Sequence, residues 1–593
     1  MLDEAQRSAV ETEDGPTLVV ASPGSGKTTV IIERLFFLIR NKKIDPKRIL
    51  VITFTKDAAL SMKNRFETLD SKVESPVFGT FHSIFFHILS EEKGYTRENI
   101  LIGEEKKFLI KKAFLKSGIY NDFFPEFYSL FEKKMLRYKL NQTGEFDEKG
   151  DKISKIIKQY ESLKEDMKYV DFGDMINFAL KMFQENPNIL SKWQKRFDYI
   201  LVDEAQDMND LQFSVIKMLS GEEQNIFAVG DEDQSIYGFR GANPKIMLDF
   251  EKTYPDCKIY KLEKNYRSLK EIVEISSKLI SNNKSRFDKN QYSAFDAKAR
   301  IEVHNFIDSQ KEAKFIVQDI KKQLSSGIEP KNIAVLYRNN IRANRIVNEL
   351  VNNRIPVNFR RLSTDNKRIV SDIISVINIA TGIYQRQDVF KVLSFLDKTF
   401  YRKYFTSEKV DFSKILMDST LITEERKFLE GLQNSFMMMQ RMKPFALMVF
   451  LRKTLKYDEY LKRYCKEYEL EFDYFLEIVD SLMDYGRYIG SISDFRRYVE
   501  ENTHGIESKE NGVNLRTFHG AKGLEYNTVY IIDANDGITP ANKSMHEGDI
   551  EEERRMFYVA ITRAKRELII CFTESIGERK YKRSRFIDEL EIL

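Results

Sequence analysis

The chain has 593 residues, 42% hydrophobic and 31% charged, with 95 basic side chains against 91 acidic ones, a net charge of +4. That length exceeds one ordinary core and excludes a single small domain, and the composition excludes a disordered chain. The near-cancelling charge excludes a uniformly basic nucleic-acid coat, so any such binding charge must be local.

Cys257, Cys465 and Cys571 lie far apart, which argues against a disulfide scaffold or a zinc or iron–sulfur site. No basic leader precedes an apolar run, and no apolar stretch reaches about 18 residues, so a cytoplasmic chain with no membrane partner is expected.

In chain order, short apolar runs at 18–20, 49–52, 199–202 and 226–229 are each followed by loop residues and a helical pattern. Strands alternating with helices predict a parallel α/β sheet. A second set at 333–337, 513–517, 528–532 and 568–571 predicts another. The first α/β domain is assigned to 1–83 and 169–265, the second to 266–366 and 511–593. Each is interrupted by a mainly helical insertion, 84–168 in the first and 367–510 in the second. The Met- and Phe-rich stretch 428–455 reads as helical core, because methionines at helical spacing usually fill one.

After the first run comes Ala21-Ser22-Pro23-Gly24-Ser25-Gly26-Lys27-Thr28. A strand that turns into a helix with its amides facing phosphates needs Gly24 and Gly26; Lys27 neutralises the outer phosphates and Thr28 offers a hydroxyl to magnesium. The third run delivers Asp203-Glu204-Ala205-Gln206-Asp207 to the carboxyl edge of the sheet, where ligands bind in such folds. Asp203 then suits magnesium, and Glu204 the attacking water of phosphoryl transfer.

Downstream stand Val229-Gly230-Asp231-Glu232-Asp233-Gln234-Ser235-Ile236-Tyr237-Gly238-Phe239-Arg240-Gly241-Ala242, Asn265-Tyr266-Arg267-Ser268, Thr517-Phe518-His519-Gly520-Ala521-Lys522-Gly523-Leu524-Glu525 and Tyr558-Val559-Ala560-Ile561-Thr562-Arg563-Ala564. Nearer the start are Thr53-Phe54-Thr55, Gly79-Thr80-Phe81-His82 and Asp171-Phe172. In content and order this set resembles the superfamily 1A DNA helicases of the UvrD/Rep/PcrA group. The resemblance implies two RecA-like motor domains, 1A and 2A, with insertions 1B and 2B, and an enzyme that couples ATP and magnesium to movement on single-stranded DNA. Strand separation at single-strand/duplex junctions and 3′ to 5′ polarity are implied with it.

For individual residues, the resemblance implies that Gln6 reads the adenine edge and Tyr266 stacks on the base. Thr29 falls beside the adenine, where the family often has arginine. Gln234 senses the γ-phosphate or its water, and Arg267 and Arg563 reach it from the second domain as arginine fingers. Glu525 contacts the ribose and Gly523 lets the backbone approach. Phe54, Phe172, Tyr237 and Phe239 line the strand channel, with Thr55, Thr80, His82, Arg240 and His519 on phosphates or coupling them to the ATP site. Aromatic platforms with cationic neighbours are what sequence-independent single-strand binding requires.

The chain departs from the family in three places. Phe239 stands where tryptophan is usual. The region Asp397-Lys398-Thr399-Phe400-Tyr401-Arg402 lacks the Gly-Ile-Gly hairpin signature, and the chain ends soon after Arg563 without a long basic tail. These departures leave a second reading open, a translocase that needs a protein partner to unwind; a monomer or weak oligomer is expected. A nucleotide switch without catalysis conflicts with intact Lys27, Glu204, Gln234 and Arg563, and a small-molecule kinase would not need a second α/β domain.

Overall fold

The computed structural model describes residues 2–117, 124–140, 152–339, 342–359, 367–467, 472–501, 509–541, 547–576 and 579–591. The expected limit at residue 366 lies outside them. A first sheet is built from β1 (Thr17–Ala21), β2 (Ile49–Thr53), β3 (Val77–Thr80), β4 (Tyr199–Val202), β5 (Ile226–Gly230) and β6 (Lys258–Leu262). All pairs are parallel, in the order β3-β2-β4-β5-β1-β6. Alternate residues explain its two covers: Leu18, Val20, Leu50 and Ile52 enter one core, Val19, Ala21, Ile49 and Val51 the other. A strand buried on both faces reads as an unbroken apolar run, which is why β1, β2, β4 and β5 were legible.

The chain leaves this sheet through a short parallel pair, β7 (Lys264–Asn265) with β8 (Tyr292–Ser293). The second sheet comprises β9 (Arg300–Asp308), β10 (Ile333–Tyr337), β11 (Val357–Phe359), β12 (Val513–Thr517), β13 (Tyr526–Ile531), β14 (Ala564–Ile576) and β15 (Arg579–Lys580). Its order is β11-β12-β10-β13-β14, with β9 alongside β14 in parallel and β15 antiparallel to β14. Cores again lie on both faces, with Ala334 and Leu336 in one and Ile333, Val335 and Tyr337 in the other. The mixed α/β chain thus holds two parallel-strand sheets.

Each sheet carries its helical excursion. The helix α4 (Phe81–Lys93), which the expected limit at residue 84 divides, packs wholly in the first core through Phe81, Ile84, Phe85, Ile88 and Leu89. Beyond it, α5 (Gly103–Lys116), α6 (Phe124–Leu140) and α7 (Lys152–Asp166) surround a separate core that includes Ile110, Phe131 and Tyr160. The way in and the way out touch: Leu101 N donates to Val170 O and Val170 N to Asn99 O, both at 2.8 Å. From Lys367–Ala380 to Ile492–Glu501, helices enclose a third, larger core that takes in Phe436, Met439 and Met448. Trp193, the only tryptophan, is buried in the first core and donates Nε1 to Glu92. Among the described residues no helix is long and apolar enough to cross a membrane.

Candidate active site and nucleic-acid interface

The phosphate loop joins β1 to α2 (Lys27–Arg40) through two left-handed glycines, Gly24 at φ +69° and Gly26 at φ +87°. Side chains are excluded there for two reasons: such backbone disfavours a Cβ, and a Cβ on Gly24 would lie 2.6 Å from Arg267 Cβ. Gln6, on α1 (Glu4–Val10), is buried beside the loop; its Nε2 donates to Ser25 O at 2.9 Å and its Oε1 accepts from Asp3 N at 3.1 Å. The hydroxyls of Ser22 and Ser25 are buried with no hydrogen-bond partner among the described residues.

At the end of β4, Glu204 takes the strained φ of +52° and accepts from Lys27 Nζ at 2.8 Å. Burial alone would push Glu204 up, but Lys27 and Lys522 outweigh it and hold the carboxyl down at about 2. Asp203 next to it is pushed up to about 7 by burial and by the charge of Glu204, and no ion pair to it exists among the described residues. Two adjacent carboxyls with separated affinities for a proton are a frequent feature of catalytic sites.

The second sheet closes the site. Arg563 is 1% exposed and donates Nη2 to Gln234 Oε1 at 3.0 Å and Nε to Val559 O at 2.8 Å. Burial, then repulsion by Arg267, lowers it to about 9. Arg267 pairs with Glu525 at 2.8 Å, and Glu525 also with Lys565 at 2.5 Å. Lys522 reaches back across to Asp207 at 2.6 Å and donates to Gln234 O at 2.8 Å. Between these groups lies a cleft of about 650 Å³ whose walls include Lys27, Thr28, Thr29, Glu204, Tyr266, Arg267, Gly523 and Glu525. Tyr266, 40% exposed, is fixed at its hydroxyl by Asp3 at 2.7 Å, and the Lys264 ammonium lies 5.3 Å from its ring.

On another side of Gln234 the same segment becomes an aromatic strip. Phe54 stacks on Tyr237, with centroids 5.4 Å apart and planes 11° from parallel. Tyr237 meets Phe239 at 6.1 Å, and His519 lies edge-on to Phe239 at 5.3 Å. Phe239 is 59% exposed, and the Arg240 guanidinium sits 5.1 Å from the Tyr237 ring and 5.4 Å from that of Phe239. A second group pairs His82 with Phe172, which is 51% exposed. Thr55 and Thr80 cap α3 (Lys56–Leu69) and α4, so each hydroxyl stands at a helix N-terminus, where backbone amides favour phosphate. His519 is lowered to about 4, first by burial and then by Arg338, so it is a neutral imidazole at neutral pH.

Comparison with known proteins matches residues 2–255 to the UvrD/REP helicase N-terminal domain, and residues 260–407 and 471–575 to the UvrD-like helicase C-terminal domain. The chain belongs to the UvrD/Rep helicase family. YjcD of Bacillus subtilis is 33% identical over 99% of this chain and 80% of its own length. The ATP-dependent DNA helicases Rep of Buchnera aphidicola and PcrA of Staphylococcus aureus are 28% and 29% identical, over 100% and 97% of this chain and 97% and 83% of theirs.

Within this UvrD/Rep-family fold, the residues expected at the nucleotide site gather in or beside one cleft, and Tyr237 and Phe239 join Phe54 and His519. Phe172 and His82 form their own group. Sequence reasoning assigned no role to Lys522, Asp207, Gln206 or Arg65. Gln206 donates to Glu204 and accepts from Asp231 N at 2.9 Å. Arg65 lines the cleft and donates to Thr29 at 2.9 Å, bringing a guanidinium to the wall where the family's arginine is replaced by threonine.

Proposed function

We propose that this chain is an ATP-dependent DNA helicase that hydrolyses ATP between its two sheets and moves 3′ to 5′ on single-stranded DNA, separating duplex strands at junctions. The observation that carries the reading is the contact of Arg563, from the second sheet, with Gln234, from the first, above the Lys27–Glu204 pair. Hydrolysis at such a site depends on both halves being together.

In this reading the loop amides and Lys27 hold the phosphates, the Gln6 amide and the Tyr266 face take the base, and Glu525 and Gly523 face the sugar. Lys27 must leave Glu204 to reach a phosphate; freed of that counter-charge, Glu204 becomes a stronger base for the attacking water. Gln234 orients that water, and Arg563 and Arg267 balance charge on the transferred group. Magnesium suits this site: Asp203 is a buried carboxyl with no ion pair among the described residues, and Thr28, in the first turn of α2, adds a hydroxyl, a hard-oxygen donor set. When bound, the ion supplies charge neutralisation on the phosphates.

Coupling to DNA follows from continuity. Gln234 at the cleft and Tyr237 in the aromatic strip are three residues apart, and Lys522 touches both, with Nζ 4.9 Å from the Tyr237 ring. A shift of the second sheet on hydrolysis therefore moves the base platforms.

The test is ATP hydrolysis with and without single-stranded DNA, followed by displacement of a strand from duplexes with a 3′ or a 5′ tail. DNA-stimulated hydrolysis with 3′-tail unwinding supports the proposal. A second reading, a translocase that unwinds only with a partner, draws on Thr399–Tyr404, which forms a 3-10 turn with Phe400 exposed where relatives carry the hairpin signature. Stimulated hydrolysis without displacement would favour it, and hydrolysis indifferent to DNA would overturn both.

A further inference from the structure

One buried cation beside the site has no part in the chemistry above. Lys289 has a side chain 0% exposed, with Nζ 2.8 Å from Asp231, 3.0 Å from Glu232 and 2.7 Å from Asp233. Three carboxyls on consecutive residues resemble a metal site, but the ammonium already occupies the space they share, and Arg286 closes on Asp233 at 2.9 Å. Glu232 is pushed up to about 7 by burial, and its Oε2 is buried with no hydrogen-bond partner among the described residues. Two cations thus face three carboxyls in one dry cluster.

Such a cluster is an expensive way to fill a core, since apolar side chains would avoid the desolvation altogether. Its outward bonds show what it holds. Asp231 Oδ2 accepts from Gln234 Nε2 at 2.5 Å, while Gln234 Oε1 accepts from Arg563 Nη2 at 3.0 Å. An amide has one donor end and one acceptor end. Between a carboxylate, which only accepts, and a guanidinium, which only donates, it has a single orientation.

We propose that Lys289 is a positioning residue for ATP hydrolysis, fixing Asp231 so that Asp231 fixes the Gln234 amide with its oxygen toward Arg563. The inference rests on the proposed ATPase reading. The segment carrying Lys289 is also tied to both sheets. Phe287 N donates to Glu232 at 2.9 Å, whereas Asn283 and Lys284 donate to Glu551, at 3.1 and 2.7 Å, and Gln291 accepts from Tyr558 at 3.1 Å. Glu551 and Tyr558 lie on the helix Glu547–Ile561, which leads into Arg563. The strap thus joins the glutamine's support to the helix that presents the finger.

Two variants test this in the full chain. Asp231→Asn keeps the shape and leaves Lys289 two carboxyls; Lys289→Met with Asp233→Asn removes the ammonium together with one of its carboxylates. In each, kcat for DNA-stimulated hydrolysis is expected to fall about tenfold or more with KM for ATP held within about threefold. When Gln234 is already alanine, the same changes should lower kcat by less than about twofold, because they act through that amide. A folded Asp231→Asn protein with wild-type kcat, or equal losses with and without Gln234, would overturn the assignment. If the double variant does not melt cooperatively, Asp231→Asn decides alone. Wild-type protein without DNA-stimulated hydrolysis would sink the functional reading and this one together; an active wild type with indifferent variants sinks only this one.

Discussion

Arg563 is held by four bonds before any phosphate arrives: to Val559 O, Leu524 O, Thr562 Oγ1 and Gln234 Oε1. A guanidinium so fixed loses little freedom when it meets developing charge, so Arg563→Ala should lower kcat by about 10³-fold or more. Steady-state hydrolysis with single-stranded DNA checks this; retained turnover would remove Arg563 from the mechanism. His519 makes a different demand. Held down at about 4, it binds fewer protons folded than unfolded, so the stability it contributes is complete above about pH 6.5 and is lost as pH falls toward 4. His519→Gln should therefore flatten the fall in melting temperature between pH 7 and pH 5. Because the imidazole is neutral, the same variant should leave the salt dependence of DNA affinity unchanged.

At the scale of elements, the strip from Phe54 through Tyr237 to Phe239 divides its labour between faces and charge. Tyr237→Ala with Phe239→Ala removes stacking, and about 1 to 3 kcal/mol of single-strand affinity should go with each base platform at every ionic strength. Arg240→Ala removes charge instead, so its effect should shrink in high salt, with the slope of log K against log salt lowered by about 0.7. Anisotropy titrations at several salt concentrations separate the two, and parallel slopes for all variants would refute the division. These elements were partly legible beforehand. Motifs spelled out the aromatics, and the central strands were visible because both their faces are apolar. β3, β6 and β9 were not, because their half-exposed residues break the apolar run. The carboxyl cluster was visible as letters, whereas nothing in a sequence tells a buried Lys289 or Lys522 from the many lysines at the surface.

For the whole molecule, short apolar runs followed by helical patterns predicted two sheets and two helical insertions; in the structure the helices α5 to α7 and those from Lys367–Ala380 to Ile492–Glu501 each enclose apolar residues of their own. What periodicity could not supply was the coupling between parts, because it is made of ion pairs between residues hundreds of positions apart, such as Lys522 with Asp207. The burial of one indole adds a practical consequence. Trp193 is packed under the Arg196 guanidinium, 4.7 Å from its ring, inside the first core alone. Excited near 295 nm, where tyrosine hardly absorbs, the protein's ultraviolet emission is therefore a single-site optical signal. In a denaturant series this emission should report loosening of the nucleotide-binding half, while circular dichroism averages every helix; ATP should delay the first more than the second, and coincident curves at all ATP concentrations would mean that the chain melts as one body.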